Sequence, residues 1–589
     1  MNKACHSAML AAWKLLAFVW IVGACSVSSL VAQLLLDEEL IDVSTDHTGG
    51  YLGTGVSFAD FDGDGFDDLS FGHHAGDLKF YLGNGEGFDP IELGLNFPNA
   101  EAKGILWADV DNDGDQDLFV AFRLAANKFF LNNGDLTFED VSATCGIAQD
   151  NRRSFGPCFG DYDNDGLLDL FVANYGYTVD NPSGNELYRN LGNGVFEEVT
   201  EALGLGGENL QSFQGRWVDL DRDGWLDLHV VRDRFIYPNL FYRNLGASGT
   251  VAFEEVATDW GLDVAINCMS NSPSDFDRDG DVDMYLSGGL EGNVLLQNDE
   301  SVFTDITTPL TAIHATSWSA QWLDVDADGW EELHVATSFA SYTDFPWVLS
   351  MFSNEPDYLF ANNEGALAPP MSLFQSESIL SFSTAIGDYN SDGRVDLVSH
   401  AVGEQATFYS SQPNENNWSA LKLHGTISNL DAVGAQIELW ANEQLSYRDN
   451  YCGGNYLSQN SRTQFFGLGE ATTIDSIRVV WPSGTTDVWV EMPVNEWLDL
   501  EEGQSTACTE NCAGCTYLIA CNFDAYATVD DGTCDFSCFI ESIVCAPGLV
   551  WNPTLEVCEV ACTADFDDDG VVTLSDLLFF LTAFASFCP

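Results

Sequence analysis

The stretch Ala59–Leu69, ADFDGDGFDDL, decides how the rest of the chain is read. Asp60, Asp62 and Asp64 stand at positions one, three and five, Gly65 at six and Asp68 at nine. Alternate residues of a curled loop aim their carboxylates at one point, and the glycine permits the turn that brings the later ligands back. A set of hard oxygen donors of this size suits Ca²⁺. Left alone, four carboxylates this close would repel one another or take up protons.

The same grammar returns along the chain, which is what fixes the architecture. The second copy is Asp109, Asp111, Asp113, Gly114, Asp117, and the third Asp161, Asp163, Asp165, Gly166, Asp169. The fourth is Asp219, Asp221, Asp223, Gly224, Asp227, and the fifth Asp275, Asp277, Asp279, Gly280, Asp283. The sixth is Asp324, Asp326, Asp328, Gly329, Glu332, and the seventh Asp388, Asn390, Asp392, Gly393, Asp396. First aspartates are spaced by 49, 52, 58, 56, 49 and 64 residues. After each copy comes a short apolar run, as in LFVA (118–121) or LHVV (228–231), which predicts an inner strand covered on both faces. Hairpin signals follow, as in KFFLNNGDLTFEDV (128–141) and LYRNLGNGVFEEV (187–199). Units of this size built of short strands and turns predict an all-β, seven-bladed β-propeller over residues 33–412. The seventh copy lacks the F-x-x-V strand that ends the clear repeats at 138–141, 196–199, 253–256 and, closing on Ile306, 303–306. ELIDVSTDHTG (39–49), ahead of the first loop, is expected to supply it and close the ring.

This region resembles the FG-GAP/VCBS repeat family, which includes the integrin α-subunit propeller. The resemblance implies one Ca²⁺ per loop, about seven in all. Asn390 loses a charge but keeps an oxygen, and Glu332 differs in length, so both loops are expected to bind more weakly. Residues 413–503 alternate cleanly and predict a small antiparallel β domain. Ile437 and Leu439 share one face, and Ile477, Val479 and Trp481 share another. WPSG (481–484) fits a type I turn between two strands. GAQIEL, NYLSQNS, FFGLG and VVWPSG resemble the ASPIC/UnbV domain, which follows such repeats in cartilage acidic proteins; the resemblance implies interaction rather than catalysis.

The ends of the chain differ in character. Residues 1–32 are read as a signal peptide, with the apolar stretch Leu15–Ala24 and SLVA before Gln33; the alternative is lipidation at Cys25 in VGAC. Ten of the sixteen cysteines lie between Cys508 and Cys588, so residues 504–560 are read as a disulfide-rich segment. The C-x-x-C in CTENCAGC (508–515) leaves zinc as an alternative, and GCTYLIACNFDAYATVDDGTC (514–534) resembles a Cys-rich repeat of secreted bacterial proteins. Residues 561–589 repeat the loop grammar once more: Asp565, Asp567, Asp569 and Gly570, then Thr573 at nine and Asp576 at twelve, leading into a helical apolar face. That segment is EF-hand-like and resembles half a dockerin. It is expected to bind one further Ca²⁺ and to serve as a cap or as a sorting or anchoring tag.

Net charge is −72, from 92 acids against 20 bases, which argues against nucleic acid and anionic membranes as partners. No later segment is long and apolar enough to span a bilayer. Nucleophile–base motifs are absent. His73–His74 are read as inert surface histidines, with a metal pair as the alternative, and His229 with His334, at matching repeat positions, as packing residues. The expected function is a secreted or cell-surface calcium-binding protein acting in adhesion or in binding an extracellular protein or polysaccharide. Its loop face and central channel are open to the partner in that reading. The alternative is a secreted propeller enzyme, a polysaccharide lyase or hydrolase. The aromatic insertion Ser338–Tyr358, with Trp347 and Phe352, is the candidate ligand contact.

Overall fold

The computed structural model describes residues 36–44, 53–176, 184–206, 211–246, 252–299, 301–337, 355–373, 381–401 and 405–505, with short strands at 513–514, 529–530, 549–552 and 557–560. The signal peptide, the aromatic insertion with Trp347 and Phe352, most of the cysteine-rich segment and the C-terminal loop with Asp565, Asp567, Asp569, Thr573 and Asp576 lie outside the described residues. The chain divides into two units, Met1–Gln504 and Ser505–Pro589.

The first unit is nearly all β; the helix Ala257–Trp260 is a single turn. Each aspartate loop joins two antiparallel strands. Val56–Ala59 runs into the first loop and Asp68–Phe71 out of it; Asn96–Ala108 and Asp117–Arg123 do the same for the second. A third and a fourth strand extend each pair outward, as Lys128–Asn132 and Phe138–Asp140 do in the second repeat. Among the described residues this produces seven successive four-stranded meanders, the arrangement of a propeller-like fold. The inner two strands are buried on both faces, which is why their apolar runs do not alternate.

The last meander takes its outermost strand from the other end of the chain. Leu36–Ser44 pairs antiparallel with Gln405–Ser411, with Leu36 opposite Ser411 and Leu40 opposite Thr407. The borrowed strand covers an edge that would otherwise stand open.

Neighbouring meanders are joined by a repeated aromatic stack. The residue after the first aspartate packs its ring on the inner-strand tryptophan of the next meander. Phe61 lies 4.6 Å from Trp107, Tyr162 5.9 Å from Trp217 and Phe276 5.6 Å from Trp322, all within 18° of parallel. Such pairs contribute about 0.5–1.5 kcal/mol beyond the area they bury.

Residues 413–503 form two small sheets around their own core of Leu421, Ile437, Leu439, Ile477, Val479 and Trp481. Ile437 faces Val479 and Leu439 faces Ile477 across paired strands, so the two expected sets meet on one face. The Gly484 N–H donates to the Trp481 carbonyl at 2.8 Å, closing the WPSG turn. The expectation of an all-antiparallel domain is corrected here: Asn417–His424 and Glu496–Glu501 run parallel. Alternation reports which face is buried and carries no information on strand direction.

The channel expected along the repeat axis is filled. The segment from Tyr451 to Arg462 leaves the small domain and threads among the inner strands. Cys452 and Gly453 pair with Phe159 and Cys158. Gln459 exchanges backbone hydrogen bonds with Val56 and Phe58, and Ser461 donates to the Ile386 carbonyl. Tyr456 packs on Trp318 and Phe213. The polar run NYLSQNS suits this place, because inner-strand groups facing an axis need partners.

In the second unit, Ala513–Gly514 pairs parallel with Val529–Asp530, and Leu549–Asn552 antiparallel with Val557–Val560. Among the described residues Cys145, Cys158, Cys268 and Cys452 are buried free thiols.

Candidate metal centres

Each aspartate loop is held by the same internal bonds. The first aspartate accepts from the N–H of the glycine at position six: Asp60 from Gly65 at 2.9 Å, Asp109 from Gly114 at 2.9 Å, Asp161 from Gly166 at 2.9 Å and Asp219 from Gly224 at 2.9 Å. Asp275, Asp324 and Asp388 do the same with Gly280, Gly329 and Gly393. All seven glycines have positive φ, between 82° and 101°, which is why no other residue fits the position.

The structure brings together positions one, three and nine. Asp60, Asp62 and Asp68 each offer an oxygen within 4.8 Å of the others, and so do Asp109, Asp111 and Asp117. The sets Asp161, Asp163, Asp169 and Asp219, Asp221, Asp227 match them; in the fifth loop the grouped residues are Asp275, Asp277 and Asp279. In every copy position five turns one oxygen inward to its own loop, Asp279 in the fifth accepting from the Asp281 N–H at 3.1 Å. Asp64 accepts from the Phe66 N–H, Asp113 from Asp115, Asp165 from Leu167, Asp223 from Trp225, Asp328 from Trp330 and Asp392 from Arg394. In the seventh loop Asn390 accepts from the Asp392 N–H at 3.1 Å, as the position-three aspartates Asp62 and Asp326 do from Asp64 and Asp328.

Position nine is anchored by residues that lie outside the nine-residue loop pattern. Asp117 accepts from the Asn132 N–H at 2.8 Å, Asp169 from Asn190 at 2.7 Å, Asp227 from Asn244 at 2.7 Å and Asp283 from Asn298 at 2.8 Å. Glu332 receives the Asn362 N–H in the same way, and Asp396 that of Ser411. The asparagine side chains then reach the preceding repeat: Asn132 donates to the Phe61 carbonyl, Asn190 to Val110, Asn244 to Tyr162 and Asn362 to Phe276. The sequence signal was present as the Asn that ends the third strand in FFLN, LYRN, FYRN and LLQN.

The residues fit a hard divalent cation. Asp60 Oδ1, Asp111 Oδ1, Asp163 Oδ1, Asp227 Oδ2, Asp275 Oδ2, Asp277 Oδ1 and Asp283 Oδ2 are buried and have no hydrogen-bond partner, so the first five loops keep oxygens free for an ion. Without one the sites are costly. Burial, with neighbouring carboxylates adding to it, pushes Asp68 and Asp117 up to about 8 and Asp283 to about 9. Burial likewise raises Asp161, Asp219, Asp275 and Asp388 to about 7, and holds Asp169, Asp227, Asp324, Glu332 and Asp396 well above the usual carboxylate range. Two loops have a competitor: Arg189 pairs with Asp163 at 2.7 Å and Asp165 at 3.1 Å, and Arg243 pairs with Asp221.

The loops form a chain of contacts on one side of the repeats. Position four, in the left-handed region, reaches the glycine carbonyl of the next loop. Asn112 donates to Gly166 at 2.9 Å, Asn164 to Gly224 at 3.0 Å, and Arg222 to Gly280. The small domain sits on this side. Lys422 donates to the Gly65 carbonyl at 2.8 Å, Asp431 accepts from the Asp109 N–H, and Gln436 donates to Asp219 Oδ2 at 3.0 Å. Arg278 donates to the Leu445 carbonyl, and the Gly469 N–H donates to the Ala327 carbonyl. The loop face expected to be open to a partner is therefore covered.

The histidines lie elsewhere. His229 and His334 are fully buried in second strands, where His229 contacts the Asn271 amide at 2.7 Å. Burial lowers His229 to about 3, which keeps it neutral. His74 is half-buried, 3.7 Å from Glu101. No helix among the described residues is long and apolar enough to cross a membrane.

Comparison with known proteins gives two family matches. FG-GAP-like repeat models match residues 60–120, 109–172, 175–230 and 275–335, and the ASPIC and UnbV model matches residues 425–507. No curated protein matches the chain. Two solved structures of BBS1N in complex with ARL6DN are similar to it. The one soaked with mercury has a TM-score of 0.41 at 10% identity, over 65% of this chain and 98% of its own. The one soaked with lead has a TM-score of 0.40 at 11% identity over the same shares, 65% and 98%. Likeness at that level carries no argument.

Proposed function

The chain is an FG-GAP repeat protein with an ASPIC/UnbV domain, and from that premise we propose that it is a secreted or cell-surface calcium-binding protein, non-catalytic, acting in adhesion or in binding an extracellular protein or polysaccharide. The observation that carries this reading is the recurrence, loop after loop, of buried carboxylate oxygens without partners directly beneath a second domain. In this reading the seven meanders close as the blades of a propeller, with Leu36–Ser44 fastening the ring. About seven Ca²⁺ ions fill the loops and brace the surface on which residues 413–503 rest. When bound, the ion supplies charge neutralisation and fixed geometry; Asp60 and its counterparts hold it, and the glycine N–H holds them. An eighth ion in the C-terminal loop, and a sorting or anchoring role for that segment, belong to the same reading.

With the aspartate side covered and the axis filled, the partner is assigned to the opposite ends of the strands. There the second and third strands of successive meanders connect, and exposed apolar side chains collect. Phe235 and Ile236 are each 64% exposed, Leu124 47% and Leu290 40%. Arg234, next to them, has φ of 132°, a conformation rarely held by a non-glycine residue without a functional reason. Arg232 stacks on Tyr237 at 4.9 Å in the same loop. The test is a double variant, Phe235→Ala with Ile236→Ala, assayed for binding to a glycan array and to extracellular-matrix proteins. Loss of a hit seen with the unaltered protein, at unchanged melting temperature, supports the reading; an unchanged hit removes this surface from it, and product formation from a bound glycan removes the non-catalytic role.

A further inference from the structure

Between the axial segment and the inner strands of the fourth to seventh meanders lies a polar cavity of about 110 Å³. Three of the side chains lining it carry a donor with no partner. Arg216, Asn455 and Ser458 are 6%, 3% and 1% exposed, and Arg216 Nε, Asn455 Nδ2 and Ser458 Oγ make no hydrogen bond. Buried donors are normally satisfied, so three left open on one cavity point to something that fills it.

The charges around the cavity sort by partner. Glu331 is paired with Arg448 at 3.1 Å. Asp449 accepts from the Tyr447 hydroxyl at 2.6 Å and the Tyr451 hydroxyl at 2.7 Å. Asp275 and Asp324 belong to the cation loops. Arg216 alone of these has no carboxylate in ion-pair contact among the described residues. Its guanidinium lies 4.9 Å over the Tyr451 ring, and one terminal nitrogen donates to the Gly454 carbonyl. That leaves a buried positive charge in the cavity wall whose Nε–H has no partner. Burial lowers its pKa to about 10, while Tyr451 and the Asp449 carboxylate act in the opposite direction.

We infer that this cavity binds a small carboxylate, of acetate to lactate size, between Arg216 on one side and Asn455 and Ser458 of the axial segment on the other. A guanidinium edge suits a planar carboxylate, and the amide and hydroxyl supply the remaining donors. About 10–15 Å³ of such cavity space holds one water, so the cavity has room for a molecule of several non-hydrogen atoms. The site joins the small domain to the repeats, so an occupant stabilises the pair together. It rests on the cation-loop reading only for the charge of Asp275 and Asp324, and calcium is therefore held saturating in the test.

The experiment uses the full calcium-loaded chain and measures melting temperature and calorimetric binding with sodium acetate and sodium lactate against sodium chloride at equal ionic strength. The expected result is a saturable rise with about one carboxylate per chain. Arg216→Gln and Asn455→Asp should weaken it by at least about tenfold, the loss of one charge-assisted hydrogen bond. Arg478→Gln, on the surface of the small domain, should leave it unchanged. Should Arg216→Gln fail to fold, Ser458→Ala, which removes only a hydroxyl, must still weaken binding by about threefold or more. No saturable response beyond chloride, or a response untouched by Asn455→Asp and Ser458→Ala, overturns the inference and leaves the cavity to water.

Discussion

Gln459 holds both backbone polar groups of Trp107, 352 residues earlier in the chain: its Oε1 accepts the Trp107 N–H at 2.8 Å and its Nε2 donates to the Trp107 carbonyl at 2.8 Å. Both residues are buried. An inner strand facing the axis cannot meet its hydrogen bonds from its own sheet, and one side chain of the axial segment meets them. Removing a partner while the groups stay buried costs about 1–3 kcal/mol per group. Gln459→Ala is expected to lower stability by about 2–4 kcal/mol in denaturant titration, and Gln459→Glu, which sets a buried carboxylate oxygen against the Trp107 carbonyl, by at least as much. A change below about 0.5 kcal/mol would mean that the axial segment does not brace the repeats.

The asparagines at the ends of third strands should behave as positioning residues for the cation loops. Asn244→Ala deletes the side-chain donor to Tyr162 and Leu226 while leaving the N–H that anchors Asp227. The expected outcome is a loss of about 1–3 kcal/mol in stability and weaker calcium binding at one loop. Calcium titration against a competing chelator would show the second effect. Asn133, exposed and next to Asn132 in the second repeat, is the control: its amide donates only to Thr137 of its own turn, so Asn133→Ala should leave calcium binding unchanged.

Arg189 competes for the third loop. Arg189→Ala frees Asp163 and Asp165 from a guanidinium, so calcium affinity there should rise severalfold, about 1 kcal/mol for a half-exposed pair. A fall in affinity would show that Arg189 orders the loop rather than contesting it.

The pH dependence should change sign with metal. In chelator, burial has raised Asp68 and Asp117 to about 8. A raised folded-state carboxylate stabilises the fold below its unfolded value near 4, and that contribution is lost as pH rises through about 8. The metal-free protein should therefore melt lower at pH 8 than at pH 5. With calcium the carboxylates are held ionised and protons compete with the ion, so melting should fall as pH falls. Parallel pH profiles in the two conditions would contradict the loops as cation sites.

The loops could be read in the sequence because each side chain involved serves a contact within nine residues, so the pattern D-x-D-x-D-G-x-x-D is written in one place. The borrowed strand could be read because an open edge demanded one, and the seventh repeat ended without the F-x-x-V strand that closes the clear repeats. The position-nine anchors could not be read as part of the site, because Asn132 and Asn190 lie 15 and 21 residues beyond Asp117 and Asp169 and the gap varies with loop length. Position five was legible as part of the loop grammar; the local backbone turn takes one of its oxygens and leaves the other, and in the fifth loop Asp279 is grouped with Asp275 and Asp277. The axial segment was least legible of all. Nothing local to NYLSQNS says that its amides face strands from the far end of the chain, and the run was legible only as a resemblance. The parallel pair in the small domain was hidden for a related reason: alternation records burial and not direction.

The most direct test of the account is the amount of calcium bound per chain, measured on the folded, metal-stripped and reloaded protein together with its melting temperature in calcium and in chelator. The account predicts about seven ions from the described loops, an eighth if the C-terminal loop also binds, and a fall in melting temperature on chelation that removes about 2–3 kcal/mol per site at hundredfold saturation. One or two ions, or melting indifferent to chelator, would contradict it.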